Sequence, residues 1–422
     1  MASILILSLV FPPDAVSTAQ IMGELAIDLK KCGHQVTVVT TRPHFNRDYE
    51  VEAKQPITPI WGPLLGKSDF SGIPAFHTFM PRKGRSVAGR LLGWAGFHAL
   101  STAAAFVMAP RPDVILCPSP PLTVGVSAWL VGLLRRCPFV YNVQEIYPDI
   151  AINLGVLTSR PVIWVLRALE RWVYMRAAAI TVIAPRMLEN LRGKGVPPGK
   201  LRVIPNFVDT EDLHPGPKSN DFSRGLGISD KFVVTYAGNL GPAQGLATVV
   251  EAADLLREVP DIHFLMMGGG TSETELGDMV ARLGLPNLTL LPYHPYSMML
   301  QVYSASDVCL VPQALETGSD AVPSKVYRIM SCGRAVLAVT EPASDLSRLV
   351  LEAGCGVSVR AKEPSQLASA IERLYRARSQ CAEMGLAGRR FVLGAGSRFS
   401  VTRQYHELLC DVAMRKAVSI TE

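Results

Sequence analysis

Cysteine spacing of the metal-binding or disulfide type is missing from this chain of 422 residues. Its eight cysteines, at 32, 117, 137, 309, 332, 355, 381 and 410, include no C-x-x-C pair and no histidine at zinc-finger spacing. That excludes a small disulfide scaffold and fits reduced core thiols of a cytosolic protein. No D-x-D triplet occurs, so a bound divalent metal is not required by any pattern in the chain. A Walker loop and a G-x-S-x-G elbow are also absent, which removes the P-loop and α/β-hydrolase readings. Aromatic residues make up only 7% and charged residues 18%, against 48% hydrophobic. Such a composition suits Ala/Val/Leu-rich helices on parallel sheets, not a disordered or fibrous chain.

Long apolar runs are few. The opening Met-Ala-Ser-Ile-Leu-Ile-Leu-Ser-Leu-Val-Phe lacks a basic leader and a small-residue cleavage site, and Pro12-Pro13 closes it. It reads as a first core strand, not a signal peptide. Residues 91–109 are just long enough for a bilayer but contain His98, Ser101, Thr102 and two glycines. A buried crossover helix with basic ends accounts for this run; contact with lipid and a true span are the alternatives. Residues 122–134 are too short to span.

Acidic charge is scarce in the first half. Residues 1–210 carry 22 Lys+Arg against 13 Asp+Glu, a balance of +9, and the remainder is −3, for a net +6. Nothing acidic lies between Asp69 and Asp113, where Arg82, Lys83, Arg85, Arg90 and Arg111 flank the apolar run. The basic half should face an anionic partner, and an anionic membrane surface is one such partner. Nucleic acid is not expected.

At this length two domains are expected. Strands predicted at 3–9, 35–40, 114–117, 139–142, 179–183 and 201–204 alternate with helices at 18–32, 122–136, 160–177 and 186–193. This is a doubly wound α/β pattern. The connector His214-Pro-Gly-Pro-Lys-Ser-Asn220 marks a boundary. Strands predicted at 232–237, 263–267, 288–291, 308–310 and 335–339, with an edge strand at 356–359, then make a second sheet, and helices at 364–375 and about 400–414 end the chain.

The richest segment is Pro-Ser-Lys-Val-Tyr-Arg-Ile-Met-Ser-Cys-Gly-Arg-Ala-Val at 323–336, set between two apolar strands. Pro323 suits the first turn of a helix and Gly333 its C′ position. Free amides at the helix start, beside Ser324 and Lys325, suit an anion such as a diphosphate; an ordinary crossover helix with a stray lysine is the bland reading. Upstream, Tyr236-Ala-Gly-Asn-Leu-Gly-Pro-Ala-Gln-Gly245 follows a strand. Gly238 and Gly241 let the backbone approach a ligand, and Gly245 is expected to begin a helix. Gly268-Gly-Gly270 is a similar, less specific turn. Asn142-Val-Gln-Glu-Ile-Tyr-Pro-Asp149 places two carboxylates four residues apart at a strand end, suited to sugar hydroxyls or a proton. A solvated loop with Asp149 as a cap is the alternative there.

These segments resemble the retaining GT-B glycosyltransferases of family four, in particular the bacterial surface-polysaccharide subgroup of colanic acid and N-acetylfucosamine transferase type. The matching run there reads roughly Glu-x7-Glu-Ala-Met-Ala-Cys-Gly-x-Pro-Val, with a Pro-Ser-Lys variant. Here its first Glu falls on Asp320 and its second, which binds the nucleotide ribose, on Arg328. Leu285-Pro-Asn-Leu288, Ser306-Asp-Val308, Gly354-Cys-Gly356 and Met384-Gly-Leu-Ala-Gly-Arg-Arg390 extend the match across the second half, and Val203-Ile-Pro-Asn-Phe-Val-Asp209 resembles the junction run. On that likeness Asn206 and Asp209 are interdomain or cleft residues, with a plain turn as the alternative.

The resemblance implies two Rossmann-like domains with parallel sheets facing a cleft: 1–210 for the acceptor, 211–400 for the donor, and a C-terminal helix, 401–422, returning to the first. Implied donor residues are Gly238, Asn239, Gly241, Gln244, Gly269, Gly270, Asp320, Ser324, Lys325 and Arg328. Many relatives have Arg and Lys near Asn239 and Gln244, so Lys325 carries more of the diphosphate charge here. Glu145 is the candidate for acceptor activation, and Asp14, Arg82 and Asp149 are acceptor candidates. The implied activity is transfer of a sugar, with retention and without a metal or cofactor, from a nucleoside-diphosphate sugar, UDP-sugar favoured, to a lipid-linked saccharide. The setting is cytoplasmic or peripheral on the inner face of the membrane. A nucleotide-sugar 2-epimerase of the same architecture, or a non-catalytic homologue, is the rival reading.

Overall fold

The computed structural model describes residues 1–422 except 15, 45–48, 81–86, 316–321, 395 and 422, with side chains also undescribed at 49–50, 87–92 and 416–421. The chain divides into two compact units, one of 1–152, 157–205 and 401–422, the other of 153–156 and 206–400.

The first unit holds a nine-stranded sheet: β1 (Ser3–Leu7), β2 (Gln35–Thr41), β3 (Thr58–Trp61), β4 (Leu65–Phe70), β5 (Ile73–Thr78), β6 (Val114–Ser119), β7 (Phe139–Val143), β8 (Ala179–Val182) and β9 (Leu201–Val203), in the order β3-β4-β5-β2-β1-β6-β7-β8-β9. From β5 to β9 neighbouring strands are parallel. The central ones are buried but for Ser3, as near-continuous Val/Ile/Leu runs demand when helices cover both faces. β3 and β4 run antiparallel at one edge. The sequence expectation places no strand between 40 and 114, so β3, β4 and the parallel β5 are all additions: Gly62, Gly66, Lys67 and Asp69 give the arm no sustained apolar run, and Pro74 and His77 interrupt that of β5.

The apolar run at 91–109 lies in the helix Val87–Val107, which packs against the helix Val124–Arg135. Among the described residues no helix is long and apolar enough to cross a membrane. The last helix, Arg398–Thr421, gives residues 401–421 to the first unit. There the Asn142 amide donates to Tyr405 Oη at 2.9 Å, and the Thr402 hydroxyl to Asp28 at 3.2 Å.

The second unit holds six parallel strands: β10 (Phe232–Ala237), β11 (Ile262–Met267), β12 (Leu288–Leu291), β13 (Val308–Pro312), β14 (Ala335–Thr340) and β15 (Gly356–Arg360), in the order β12-β11-β10-β13-β14-β15. Chain order reverses direction between β10 and β13. Ligands of open α/β sheets bind beyond the strand ends at such a switch point.

A helix the sequence reading left unassigned, Arg378–Gly394, braces this unit. A Cβ on Gly385 would meet the Gly333 carbonyl at 2.0 Å, so this helix lies with its backbone on the turn that ends the helix Lys325–Ser331. From it the Arg389 guanidinium donates to the carbonyls of Thr210, Leu213 and Ser331 at 2.9–3.1 Å. Arg389→Ala would leave these acceptors unmet, and a loss of about 2–3 kcal/mol in denaturant unfolding is expected. A loss under about 0.5 kcal/mol would mean that water replaces the guanidinium.

Candidate functional site

Two turns of the second unit meet at the switch point. After β10 the chain enters Gly238 at φ +152°, a conformation side chains rarely adopt, and after β11 it enters Gly268. A Cβ on Gly268 would lie 1.8 Å from the Gly238 carbonyl oxygen, and one on Gly270 2.3 Å from that of Leu240. Both turns therefore press backbone on backbone. Gly268 was not among the expected site residues, although the Gly-Gly-Gly run was its signal. Gly269 is half-buried and Gly270 exposed, so the surface they form is bare peptide.

Lys325 comes to these turns from the crossover helix after β13. Its Nζ stands 4.0 Å from the Tyr236 ring centroid, a cation–π arrangement. The same atom packs so closely on Gly238 that a Cβ there would be 2.4 Å away. Tyr236, fully buried, donates its hydroxyl to the Asn239 carbonyl at 2.5 Å, so it holds both the turn and the lysine. Its role escaped sequence reading because the strand-end position says nothing of what crosses its face. Burial, then the Arg328 charge, pushes the Lys325 ammonium down to about 7. It makes no ion pair or hydrogen bond to another described residue. A half-buried ammonium with no ion-pair or hydrogen-bond partner among the described residues, beside bare peptide, is an anion site in its electrostatics.

Other expectations change. Pro323 does not sit in the first turn: the helix begins at Lys325 with Ser324 as N-cap, and is seven residues long. Its Val326 and Tyr327 amides already donate to the Pro323 and Ser324 carbonyls, leaving fewer free amides than expected. Gly333 does take the C′ place, at φ +65°. Gly245 does not begin a helix: a 3-10 turn, Pro242–Gln244, precedes it and the helix starts at Ala247. Asn239 and Gln244 bond each other, Nδ2 to Oε1 at 3.3 Å, above Gly241. Arg328 lies over the Tyr296 ring at 5.0 Å. Asp320 lies outside the described residues. Asp209 is held in the turn reading: its carboxylate accepts from the Glu211 and Asp212 amides and pairs with Arg398. Burial raises its carboxyl, but these partners outweigh that and lower it.

In the first unit the expected acceptor residues part ways. Burial raises the Glu145 carboxyl above its ordinary range, and no described cation pairs with it, the state a proton acceptor needs. Asp149 instead opens the helix Asp149–Asn153 and is bridged to buried Glu170 by Lys194, at 2.7 and 2.6 Å. Its carboxylate is engaged structurally. Asp14, after β1, is buried and accepts from the His44 amide at 3.2 Å. Arg82 lies outside the described residues.

Comparison with known proteins accords with this geometry. A glycosyl transferase 4-like domain model matches residues 18–206, and a glycosyl transferases group 1 model matches residues 218–391. The chain belongs to the glycosyltransferases of family four. This glycosyltransferase is 25% identical over 363 residues to the putative colanic acid biosynthesis glycosyl transferase WcaI of Escherichia coli K12, covering 82% of this chain and 85% of that one. Among solved structures, a sucrose-phosphate synthase from Thermosynechococcus elongatus superimposes with a TM-score of 0.75 at 17% identity, covering 97% of this chain and 99% of that one. Anabaena HepE in complex with UDP-glucose gives 0.73 at 17% identity, covering 97% and 100%. The fold is GT-B.

Lys325 gives the glycosyltransferase a pH signature. From about pH 7 to the ordinary lysine value of 10.5, the unfolded chain holds a proton that the folded chain has released. Stability of the ligand-free protein therefore rises with pH through this window, by up to about 1.4 kcal/mol per pH unit. Lys325→Met should flatten the rise in denaturant melts taken from pH 7 to 10; equal slopes in the two proteins would exclude Lys325 as its source.

Proposed function

We propose that this glycosyltransferase moves a sugar with retention from a nucleoside-diphosphate sugar, UDP-sugar favoured, to a hydroxyl of a lipid-linked saccharide during polysaccharide assembly. The observation that carries the donor half is the Lys325 ammonium, without an ion-pair partner among the described residues, against Tyr236 and Gly238 at the switch point. A leaving diphosphate supplies the charge this ammonium lacks, and Arg328 on the next turn of the helix adds a second cation. HepE, of the same fold, was solved with UDP-glucose, which supports a uridine donor. The name of WcaI supports polysaccharide assembly. With no enzymic nucleophile assigned, retention follows from attack on the face the diphosphate leaves. A donor phosphate oxygen takes part of the proton, and the protein supplies positioning. Glu145 is the residue proposed to orient the acceptor hydroxyl.

A lipid-borne acceptor fits one face of the first unit. The helix Arg160–Arg176 exposes Val162, Trp164 (73% exposed) and Val165 among Arg160, Arg167 and Arg171. Its lone acid, Glu170, is turned inward to Lys194. Trp172 meets Trp129 of the neighbouring helix at 5.0 Å between centroids, and that helix exposes Leu133 and Leu134 beside Arg136. Next to them an apolar groove of about 500 Å³ opens between Phe106, Leu130 and Leu134. Apolar side chains among arginines, with no exposed acid on these two helices, suit the anionic inner surface of a cell membrane.

Labelled UDP-sugar incubated with the protein and a membrane extract should pass label into the lipid fraction. Label retained in an isomerised nucleotide sugar would overturn transfer in favour of epimerisation, and no affinity for UDP, GDP or TDP in calorimetry would favour a non-catalytic role. Lys325→Ala should weaken UDP binding by roughly 10–100-fold; unchanged affinity removes it from the site. For the membrane face, Trp164→Ser combined with Arg167→Gln should lower co-sedimentation with phosphatidylglycerol vesicles by roughly tenfold. Equal sedimentation of variant and parent would place lipid contact elsewhere.

A further inference from the structure

The C-terminal helix and the turn before β2 bring together three metal-type donors that are far apart in sequence. His34 Nε2 stands 2.8 Å from His406 Nδ1, and Cys410 Sγ lies 4.0 Å from the same His34 nitrogen. All three donor atoms fall within 4.8 Å of one another. His406 and Cys410 are one helical turn apart on the helix Arg398–Thr421, so one helix face presents both. His34 is buried, and the other two are partly exposed, which leaves an approach from solvent.

We propose that His34, His406 and Cys410 bind a zinc-type divalent cation that clamps the C-terminal helix to the first unit. Two imidazoles and a thiolate are the donor set that zinc prefers over magnesium or calcium, with a fourth position left to water. The separations suit it. Metal bonds of about 2.0–2.1 Å to nitrogen and 2.3 Å to sulfur need the two rings eased apart and the sulfur drawn toward both nitrogens from within the 4.8 Å that the donor atoms span. The nearby tie from Thr402 to Asp28 sets the helix in register for this.

The proton balance is definite. Without metal, the Ala2 amide donates to His34 Nδ1 at 3.1 Å, which places the ring proton on Nε2, where it donates to His406 Nδ1. On binding, that proton moves to Nδ1 and the Ala2 bond is given up. The Cys410 thiol proton leaves to solvent, and the metal takes the freed Nε2, His406 Nδ1 and the thiolate. The proposed role is structural and separate from the donor site in the second unit, so it stands or falls apart from sugar transfer.

The full-length chain, stripped with chelator, is titrated with cobalt(II) as a spectroscopic stand-in for zinc. One equivalent should develop a thiolate-to-cobalt charge-transfer band that zinc then bleaches. His406→Ala and Cys410→Ser should each lose at least the roughly 10–100-fold in affinity that even an outer partner of a metal site commands. A second measurement needs no variant: zinc should slow alkylation of Cys410 in the parent protein. Absence of the band, its persistence in Cys410→Ser, or alkylation of Cys410 at an unchanged rate with zinc would each overturn the site.

Discussion

Backbone pressed on backbone at the ends of β10 and β11 is the constraint from which the candidate site of the second unit follows. With less than 2 Å between a notional Gly268 Cβ and the Gly238 carbonyl, the turn after β11 tolerates no side chain that would hold the two apart. The bare peptide surface left there is what lets Lys325 cross from the β13 side and rest on Tyr236. Each part needs the others. Gly238 gives room for the ammonium, Tyr236 gives it a face, and the β10–β13 pairing brings its helix to the spot.

Electrostatics then divide the molecule's charged groups into those satisfied within the fold and those left for a ligand. Asp149, Glu170 and Lys194 satisfy one another, as do Asp209, Arg398 and the amides beside them. Among the described residues, half-buried Lys325 has no such partner, and Glu145 is raised by burial with no cation to lower it. Buried charge that the fold does not neutralise is expensive. Its presence in a donor and an acceptor candidate fits a protein whose substrates bring the missing partners.

Much of the fold was legible because parallel strands covered by helices must be apolar throughout. The second-unit strands at 232–237 and 288–291 agree with the sequence expectation to the residue, as does the edge position of β15. The antiparallel arm at β3 and β4 escaped, since a polar, glycine-interrupted edge has no such signature, and so did parallel β5, whose run is broken by Pro74 and His77. Within the site, residue type pointed to Lys325 and the glycines. It could not show that Asn239 and Gln244 satisfy each other, that Asp149 is held by Lys194, or that Tyr236 carries the lysine. The last two are relations between side chains on different elements, the first a contact within one irregular turn, and no spacing rule encodes them.

Local sequence determined that there would be two doubly wound units, where most of their parallel strands run, and that glycines with a lysine would stand at the strand ends of the second, because apolar runs and chain-turning residues act over a few positions. Tertiary structure alone decided which charges were spent and which were left over. It also decided that His34 meets His406 and Cys410 across some 370 residues. Proximity of that kind is set by packing a last helix onto a first sheet, and it leaves no trace in the order of the residues.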